Sequence, residues 1–543
     1  MKLKAKLTEI LFEAIQSEFG ITVSSVQISR SKNPEFGDLS TNLPLLLAKD
    51  LKKSALEIAG QIQSVLILDK SFFVDATISK PGFINFTISP TYFYSVLDDV
   101  LTEDVRFFKG SGGIGKTALV EFVSANPTGP LSVGHGRQAV LGDTVSNILQ
   151  WHGYNVTREY YYNDAGRQMR ILADSVEARY HELTNSKSNF PDDGYQGEYI
   201  KDIAKSIQTK HGNALSPGDK VIGDTAEEII FDGIKSTLQT LQIEFDNFAN
   251  ERTYYESGAI NKVIDRLKQK NLIYTADEAT WFKTSTLGME KDRVLIKNSG
   301  EPTYRLPDIA YHIDKVERNF DLIVDIFGAD HQDTYPDVLA GLHCLGYDTN
   351  TIKVLIHQFV TLMRGGEKVK MSTRKATFVT LDELLDKLGP DVVRYFFLMR
   401  GMNSHLNFDL ELAEDQSVKN PVFYLQYAHA RICNIIKRGE EHGLTIKKKY
   451  DPHLLTHPTE IALLKQLDMF PEIMDVLLES LEPQMLVNYL QSLATHFHKF
   501  YTECQVLTND LALSHVRIAL IYSVKMILAC GLKILGVSAP LKM

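Results

Sequence analysis

Over the first twenty positions apolar residues recur at helical spacing, at Leu3, Leu7, Ile10 and Leu11, while Glu9 and Glu13 break any continuous apolar run. The segment therefore reads as an amphipathic helix and not as a leader. A turn-rich stretch from Ser31 to Asp38 follows, then an apolar helical pattern from Leu43 to Ile58 and strand-like runs at Phe72 to Ile78 and Phe83 to Ile88. These predict a small α+β domain over residues 1–110. The glycines Gly110, Gly112, Gly113 and Gly115 mark the linker that ends it.

From Thr117 onward the pattern changes. Short apolar runs, Thr117 to Val123, Asp321 to Phe327 and Lys353 to Phe359, alternate with helical spacing such as that of Thr334 to Cys344. Buried strands separated by helices predict an α/β unit, a Rossmann-like doubly wound parallel sheet, over residues 111–400. Residues 164–290 are richer in helix and charge and read as an insertion between two halves of that sheet. Beyond residue 400 the strand signals stop. Helical runs at 420–437, 459–480, 485–504 and 511–535 predict an all-α bundle over residues 401–543. Its most apolar stretch, Ile518 to Val537, carries Lys525 and Lys533, which suits a core helix better than a membrane span.

Composition narrows the class. A chain of 543 residues exceeds one ordinary core, and 44% apolar with 23% charged residues is the balance of a globular protein, which argues against disorder. The formal charge of -10 argues against indiscriminate nucleic-acid binding but leaves room for a specific RNA met by a local basic face. Lys2, Lys4 and Lys6, and Lys447 to Lys449, are candidates for such a face and read equally well as solvated surface. Cys344, Cys433, Cys504 and Cys530 stand far apart, which suggests neither a zinc knuckle nor a disulfide framework and fits a reducing compartment.

The strongest local signal is SANPTGPLSVGHGR, Ser124 to Arg137, directly after the apolar run Leu119, Val120, Phe122 and Val123. A buried strand, a Pro/Gly turn and a helix start presenting Gly134 and His135 form a phosphate-binding arrangement, because the free amides of a helix start attract anions. Far downstream Lys370, Met371, Ser372, Thr373 and Arg374 follow the flexible pair Gly365 and Gly366. A formal P-loop, GSGGIGKT from Gly110 to Thr117, fails on context: it opens a strand, whereas a P-loop must follow a strand and open a helix.

Ser132 to His135 resembles the HIGH signature of class I aminoacyl-tRNA synthetases, and Lys370 to Arg374 resembles their KMSKS signature. Further segments narrow the resemblance to the arginyl-tRNA synthetases: EFVSANPTGP, PTYRLPDIAYH, FGADHQ, VLIHQFV, YLQYAHARI and the closing LGVSAPLKM. The resemblance covers nearly the whole chain. It implies an arginine–tRNA ligase that activates arginine with ATP and transfers it to the 3′ end of tRNA(Arg), releasing AMP and pyrophosphate. It further implies magnesium carried with ATP, no protein-held metal, no membrane partner, a cytoplasmic location and a monomer.

Residue by residue, the resemblance places Gly134, His135, Gln358, Met371 and Ser372 on ATP, with His135, Lys370 and Ser132 as catalytic groups. It places Ser124, Asn126, Glu251, Tyr304, Asp308, His331 and Gln332 around arginine, with Glu121 at the border. Tyr304 and Asp308 stand four residues apart and would share a helix face. A guanidinium presents five fixed donors and is satisfied by forked acceptors, so paired carboxylates are the right residue type. Taken alone, Glu251 and Asp308 would read as solvent-facing acids on helices. For tRNA the resemblance implies Asn33, Phe36 and Asp38 in the N-terminal domain, and Tyr424, Tyr427, Arg431 and Met543 in the bundle. Phe36 reads equally as a loop anchor, and the tyrosines as an aromatic core stripe.

Two departures stand out. Ser132 replaces the first histidine of HIGH, and Thr373 the second lysine of KMSKS, which removes an imidazole and a positive charge from the triphosphate site. Lys116, just upstream of the HIGH segment, is the expected compensating cation, with Arg374 or Lys375 as substitutes and a plain linker lysine as the alternative. The same departures leave open a catalytically weakened tRNA-binding paralogue; a P-loop NTPase is the third reading.

Overall fold

The computed structural model describes residues 2–31, 33–103, 107–184, 189–369, 380–444, 446 and 450–543. The chain opens with helix α1 (Lys2–Phe19), strands β1 (Ile28–Arg30) and β2 (Leu39–Thr41), helices α2 (Leu43–Leu51) and α3 (Ala55–Val65), strands β3 (Phe73–Ser79) and β4 (Phe83–Ile88), and helix α4 (Pro90–Glu103). Its antiparallel sheet has the order β1-β2-β4-β3. The apolar pattern from Leu43 to Ile58 is two helices, not one. Lys52 ends α2 in the left-handed region at φ 52°, and Ser54 caps α3 by accepting the Glu57 N–H.

The nucleotide-binding region runs through β5 (Thr117–Glu121), α5 (Val133–Trp151), β6 (Asn155–Tyr162), the helices α6 (Arg167–Leu183), α7 (Glu198–His211) and α8 (Lys220–Thr240), and β7 (Asn247–Asn250). It continues through α9 (Glu251–Glu256), α10 (Ala259–Gln269), β8 (Ile273–Ala276), β9 (Ala279–Phe282), β10 (Arg293–Ile296), α11 (Arg305–Glu317), β11 (Leu322–Gly328), α12 (Tyr335–Leu345) and β12 (Ile352–His357). Five parallel strands form the main sheet in the order β12-β11-β5-β6-β7. Helix α5 lies across it, fixed where the Gln138 amide donates to the Ile326 carbonyl.

Two sequence expectations need correcting here. The stretch 164–290 is not purely an insertion: β7 is the edge strand of the main sheet, and β8, β9 and β10 form a separate antiparallel sheet. Strand signals do not stop at residue 400 either. After β13 (Val360–Arg364), β14 (Glu367–Lys368), α13 (Leu381–Leu388) and α14 (Pro390–Leu398), strand β15 (Leu406–Asp409) pairs in parallel with β13, and α15 (Leu410–Glu414) follows it. The strands β7 and β15 hold four residues each, too few for an apolar alternation to register in sequence.

Four long helices complete the chain: α16 (Pro421–Glu441), α17 (Pro458–Ser480), α18 (Gln484–Glu503) and α19 (Leu511–Leu535). Helix α19 is long and apolar enough to cross a membrane by composition, yet 67% of its apolar window is buried inside the bundle. Arg394 ties the regions together. Fully buried, it donates to the Leu535 carbonyl at the end of α19, the Leu241 carbonyl after α8, and Asp143 on α5. The N-terminal region docks on α17 through Arg30 with Asp468 and Glu472, and Tyr92 with Asp468.

Candidate active site

In a parallel sheet the ligand crevice lies beyond the carboxyl ends of the strands, where the strand order reverses. Here the chain leaves β5 toward β6 on one side and β11 toward β12 on the other, so the crevice opens above β5 and β11. Leaving β5, Val123 and Ser124 adopt left-handed φ values of 67° and 41°. Such geometry is unfavourable for a β-branched residue and persists only when neighbours over-determine it. The Ser124 hydroxyl does so: it donates to Glu121 at 2.7 Å and accepts the Tyr161 N–H at 3.1 Å.

Ser132 is the N-cap of α5. Its oxygen accepts the His135 N–H at 3.3 Å, and its own N–H donates to His135 Nδ1 at 3.3 Å. This reciprocal cap explains why serine serves at the position of the first HIGH histidine. It also fixes the tautomer. Nδ1 holds a lone pair, burial pushes the imidazole below its ordinary value, and so Nε2 carries the hydrogen and donates into the crevice at neutral pH. At Gly134 an added Cβ would meet only Ser132 Oγ, at 3.6 Å. One turn on, the buried Arg137 donates to the carbonyls of Gln358, Ser404, Arg400 and Gly401, locking the ends of β12 and α14 together beneath the cleft. Arg137 lies two residues beyond the HIGH-like Ser132 to His135, and sequence gives no sign of this role.

The cleft itself has a volume of about 710 Å³ and runs from Asn126 and Thr128 past Ser132 and His135 to the loop Asp192 to Tyr199. Tyr199 holds that loop by donating to the Thr128 carbonyl at 2.7 Å, and the Asn126 amide donates to Gln168. His331 stacks on Phe327 at 5.2 Å, and it acts electrostatically on His357 together with His135 and Arg137. Gln332 follows it, exposed, at the end of the short turn after β11.

Two carboxylates come together beside Tyr161. Glu251, the first residue of α9, is buried and accepts the Tyr161 phenol at 3.0 Å. Burial, and the nearby charge of Asp308, push its carboxyl up to about 7. Asp308, in the first turn of α11, is raised to about 6, chiefly by burial. Among the described residues neither has an ion-pair partner. Desolvated acids of this kind favour a cationic ligand that brings its own donors.

Beneath them lies a second set. Asp325, Glu121 and Glu159 stand in register on β11, β5 and β6, a row of three acids across adjacent strands. Helix α11 answers with three basic groups at three-residue intervals. His312 Nε2 is 3.1 Å from Asp325; fully buried Lys315 donates to Asp325 at 2.6 Å and to Glu121; Arg318 grips Glu159 with both arms at 2.6 and 2.7 Å. Glu121, His312 and Asp325 are close enough to share a metal ion, but the Lys315 ammonium already supplies the positive charge between the two acids. None of these basic residues was legible as functional, because such spacing also describes a solvated helix face.

Several expected positions need correction. Lys116 precedes β5 at the sheet edge opposite the crevice, near the Tyr154 ring and Asp321. The strand from Thr117 to Glu121 separates it from the cleft by about 16 Å at roughly 3.3 Å per residue, so it does not reach the triphosphate site. Tyr304, the N-cap of α11, has helical dihedrals and its carbonyl accepts the Asp308 N–H at 3.2 Å, so the two do stand one turn apart as expected, but Tyr304 is 67% exposed, near Tyr195. Asp38 is not free for RNA. One oxygen accepts the Ile88 N–H at 2.9 Å and the other pairs with Lys465. Lys370, Met371 and Ser372, with Thr373, Arg374 and Lys375, lie outside the described residues.

Of the other tRNA candidates, Asn33, Phe36 and Met543 stand exposed, whereas Tyr424, Tyr427 and Arg431 are half-buried. Phe36 is 46% exposed and is therefore not a core anchor, while Asn33 caps its turn by accepting the Glu35 N–H. In the bundle Tyr424 lies against His498 at 4.6 Å, and the Arg431 guanidinium sits 4.3 Å from the Tyr427 ring and 4.8 Å from that of Tyr501. Tyr501 and His498 come from α18 and join this face only through tertiary packing. Met543 is exposed.

Three family models account for most of the sequence: the arginyl-tRNA synthetase N-terminal domain over 1–88, the class I (R) tRNA synthetase catalytic domain over 96–393, and the DALR anticodon-binding domain over 425–543. The chain belongs to the arginyl-tRNA synthetases. It is similar to the arginine–tRNA ligase of Desulfotalea psychrophila, at 49% identity over 93% of each chain, and to that of Chlorobaculum tepidum, at 47% over 99% and 100%. The fold also matches the solved arginyl-tRNA synthetase of Thermus thermophilus, with a TM-score of 0.78, 21% identity and full coverage of both chains. The synthetase fold thus accounts for the parallel sheet, the α5 cap and the helical bundle together.

Proposed function

We propose that this arginyl-tRNA synthetase ligates arginine to tRNA(Arg) in two steps within the cleft between α5 and α11. The arginine carboxylate attacks the α-phosphorus of ATP, the bond to the β-phosphate oxygen breaks, and pyrophosphate leaves. A terminal ribose hydroxyl of tRNA then attacks the arginyl carbonyl, and AMP leaves. Neither step needs a side-chain nucleophile, so alignment and donors aimed at developing charge carry the rate. His135 Nε2–H, the Ser132 hydroxyl and the first amides of α5 face the phosphates. Lys370, Met371 and Ser372 complete the ATP site by resemblance, and Gln358 and Gly134 border it.

Arginine lies with its guanidinium between Glu251 and Asp308, and with its α-amino and carboxylate end toward Ser124 and Asn126. His331 and Gln332 close the junction with ATP, and Tyr304 borders the entrance. Phe36 and Asn33, and Tyr424, Tyr427, Arg431 and Met543, meet the tRNA. Magnesium arrives with ATP, and the chain works in the cytoplasm as a monomer without a membrane partner. Burial of most of α19 in the bundle supports the core-helix reading of that segment.

The observation that carries the specificity is the pair Glu251 and Asp308, both desolvated and both raised. Pyrophosphate exchange tests it, run with arginine or with citrulline, its neutral urea analogue, in the presence and absence of tRNA. Exchange is expected with arginine only, and by family resemblance only with tRNA present. Tight tRNA binding without exchange in any mixture would instead support the weakened paralogue.

A further inference from the structure

His357 ends β12, in register with Gly328 at the end of β11. It is 6% exposed and lies close enough to Arg137, to the cleft-lining His135 and to His331 for all three to act on its ring. Nδ1 lies 3.3 Å from the Gln358 carbonyl oxygen, which can only accept, so Nδ1 carries the hydrogen. Burial pushes the imidazole down to about 4, which keeps the ring neutral and leaves a lone pair on Nε2. That nitrogen is buried and has no hydrogen-bond partner. Leaving a buried acceptor unpaired costs about 1–3 kcal/mol, and such atoms call for a specific explanation.

Gly328 supplies a second, independent observation. Its φ of -68° is open to any residue, and an added Cβ would meet only His357 Nε2, at 3.8 Å. Neither the backbone nor crowding within the protein demands glycine there. The missing side chain leaves room for a ligand to approach Nε2.

The start of α5 attracts phosphate, so the nucleoside extends from it across the ends of β11 and β12. We propose that His357 Nε2 accepts a hydrogen bond from the nucleoside half of ATP and is a specificity-determining residue for the nucleotide. This rests on the assignment of the cleft to ATP. At neutral pH the donors of ATP are its ribose hydroxyls and its 6-amino group; the phosphate oxygens and the free ring nitrogens of adenine only accept. A neutral histidine with its lone pair turned inward therefore selects nucleoside over phosphate.

The test is arginine-dependent pyrophosphate exchange with tRNA present, comparing ATP with 2′-deoxy-ATP, 3′-deoxy-ATP and purine riboside triphosphate, which lacks the amine. For the unchanged chain, one analogue is expected to show a KM about tenfold above that of ATP, the size of one lost hydrogen bond. His357→Ala should raise the ATP KM to that level and erase the difference, while KM for arginine stays within about twofold. Gly328→Ala keeps the imidazole and sets a methyl group against Nε2, so it should give the same pattern more weakly and with an unaltered unfolding midpoint. The analogue that loses its penalty identifies the donor as a hydroxyl or the amine. If His357→Ala leaves the ATP KM and every analogue ratio unchanged, the inference is overturned. Absence of exchange by the unchanged chain with ATP overturns the proposed function and this inference together.

Discussion

Asp325, Glu121 and Glu159 lie in a row across the sheet and meet Lys315, His312 and Arg318, whereas Glu251 and Asp308, against the same helix α11, meet no ion pair among the described residues. Burial acts on both sets, with opposite outcomes. In the row it would raise Glu159 and Asp325, yet Arg318 and Lys315 hold the first below its ordinary value and Lys315 and His312 the second. In the cleft burial prevails, and Glu251 and Asp308 rise. One set is compensated internally and fixes α11 to the sheet. The other carries no cation of its own among the described residues, and the proposed arginine pocket rests on that difference.

The largest effect should come from breaking the compensated set. Lys315→Met leaves Glu121 and Asp325 buried without their cation, and unfolding in denaturant is expected to show a loss of about 3–5 kcal/mol. Glu251→Gln should leave the unfolding midpoint unchanged or higher, because it removes a desolvated charge. Equal destabilisation by the two substitutions would erase the distinction drawn between the sets.

Next in size is the ligand itself. Glu251→Gln or Asp308→Asn should weaken arginine binding by on the order of 2–5 kcal/mol, read by calorimetry, since a guanidinium would lose an acceptor in a desolvated site. An affinity within threefold of the unchanged chain would remove that residue from the pocket.

Stability against pH sharpens the contrast. Between its ordinary 4.5 and about 7, Glu251 keeps a proton in the folded chain that it loses when unfolded. The folded state then binds more protons, so its stability falls as pH rises through that window, by on the order of 2–3 kcal/mol. Asp308 acts in the same direction between 3.8 and about 6. Glu159 and Asp325 act oppositely: their stabilisation is present above the ordinary carboxylate range and disappears on acidification. Saturating arginine should flatten the first slope and leave the second, which lies below about pH 4.5, so unfolding curves from pH 2 to 8 separate them. The smallest effect is expected at Lys116→Ala: an exchange rate within about twofold, since the sheet separates this ammonium from the cleft. A tenfold loss would return Lys116 to the catalytic set.

Local chemistry was legible wherever a few adjacent residues carry it. The strand, turn and helix start around SANPTGPLSVGHGR follow from apolar runs, Pro and Gly placement and a serine at an N-cap, all of which act over a handful of positions. The bundle was legible for the same reason, its helices being long enough for periodicity to emerge. The strands β7 and β15 were not, because four residues give no period, and the break at Lys52 lay hidden in a continuous apolar pattern.

Sequence by itself determined the long helices of the bundle, the parallel sheet and the HIGH-like turn, and through resemblance it named the candidates for the arginine site. Only the tertiary structure decided which acids are paired with cations and which are not. Lys315 and Asp308 are seven positions apart on one helix, and the acids Lys315 meets lie 10 positions away on β11 and 194 away on β5. Lys116 and His135 show the converse, near in sequence but at opposite ends of a strand. Charge interactions depend on distance and desolvation in space, and neither is written in the spacing of residues along a chain.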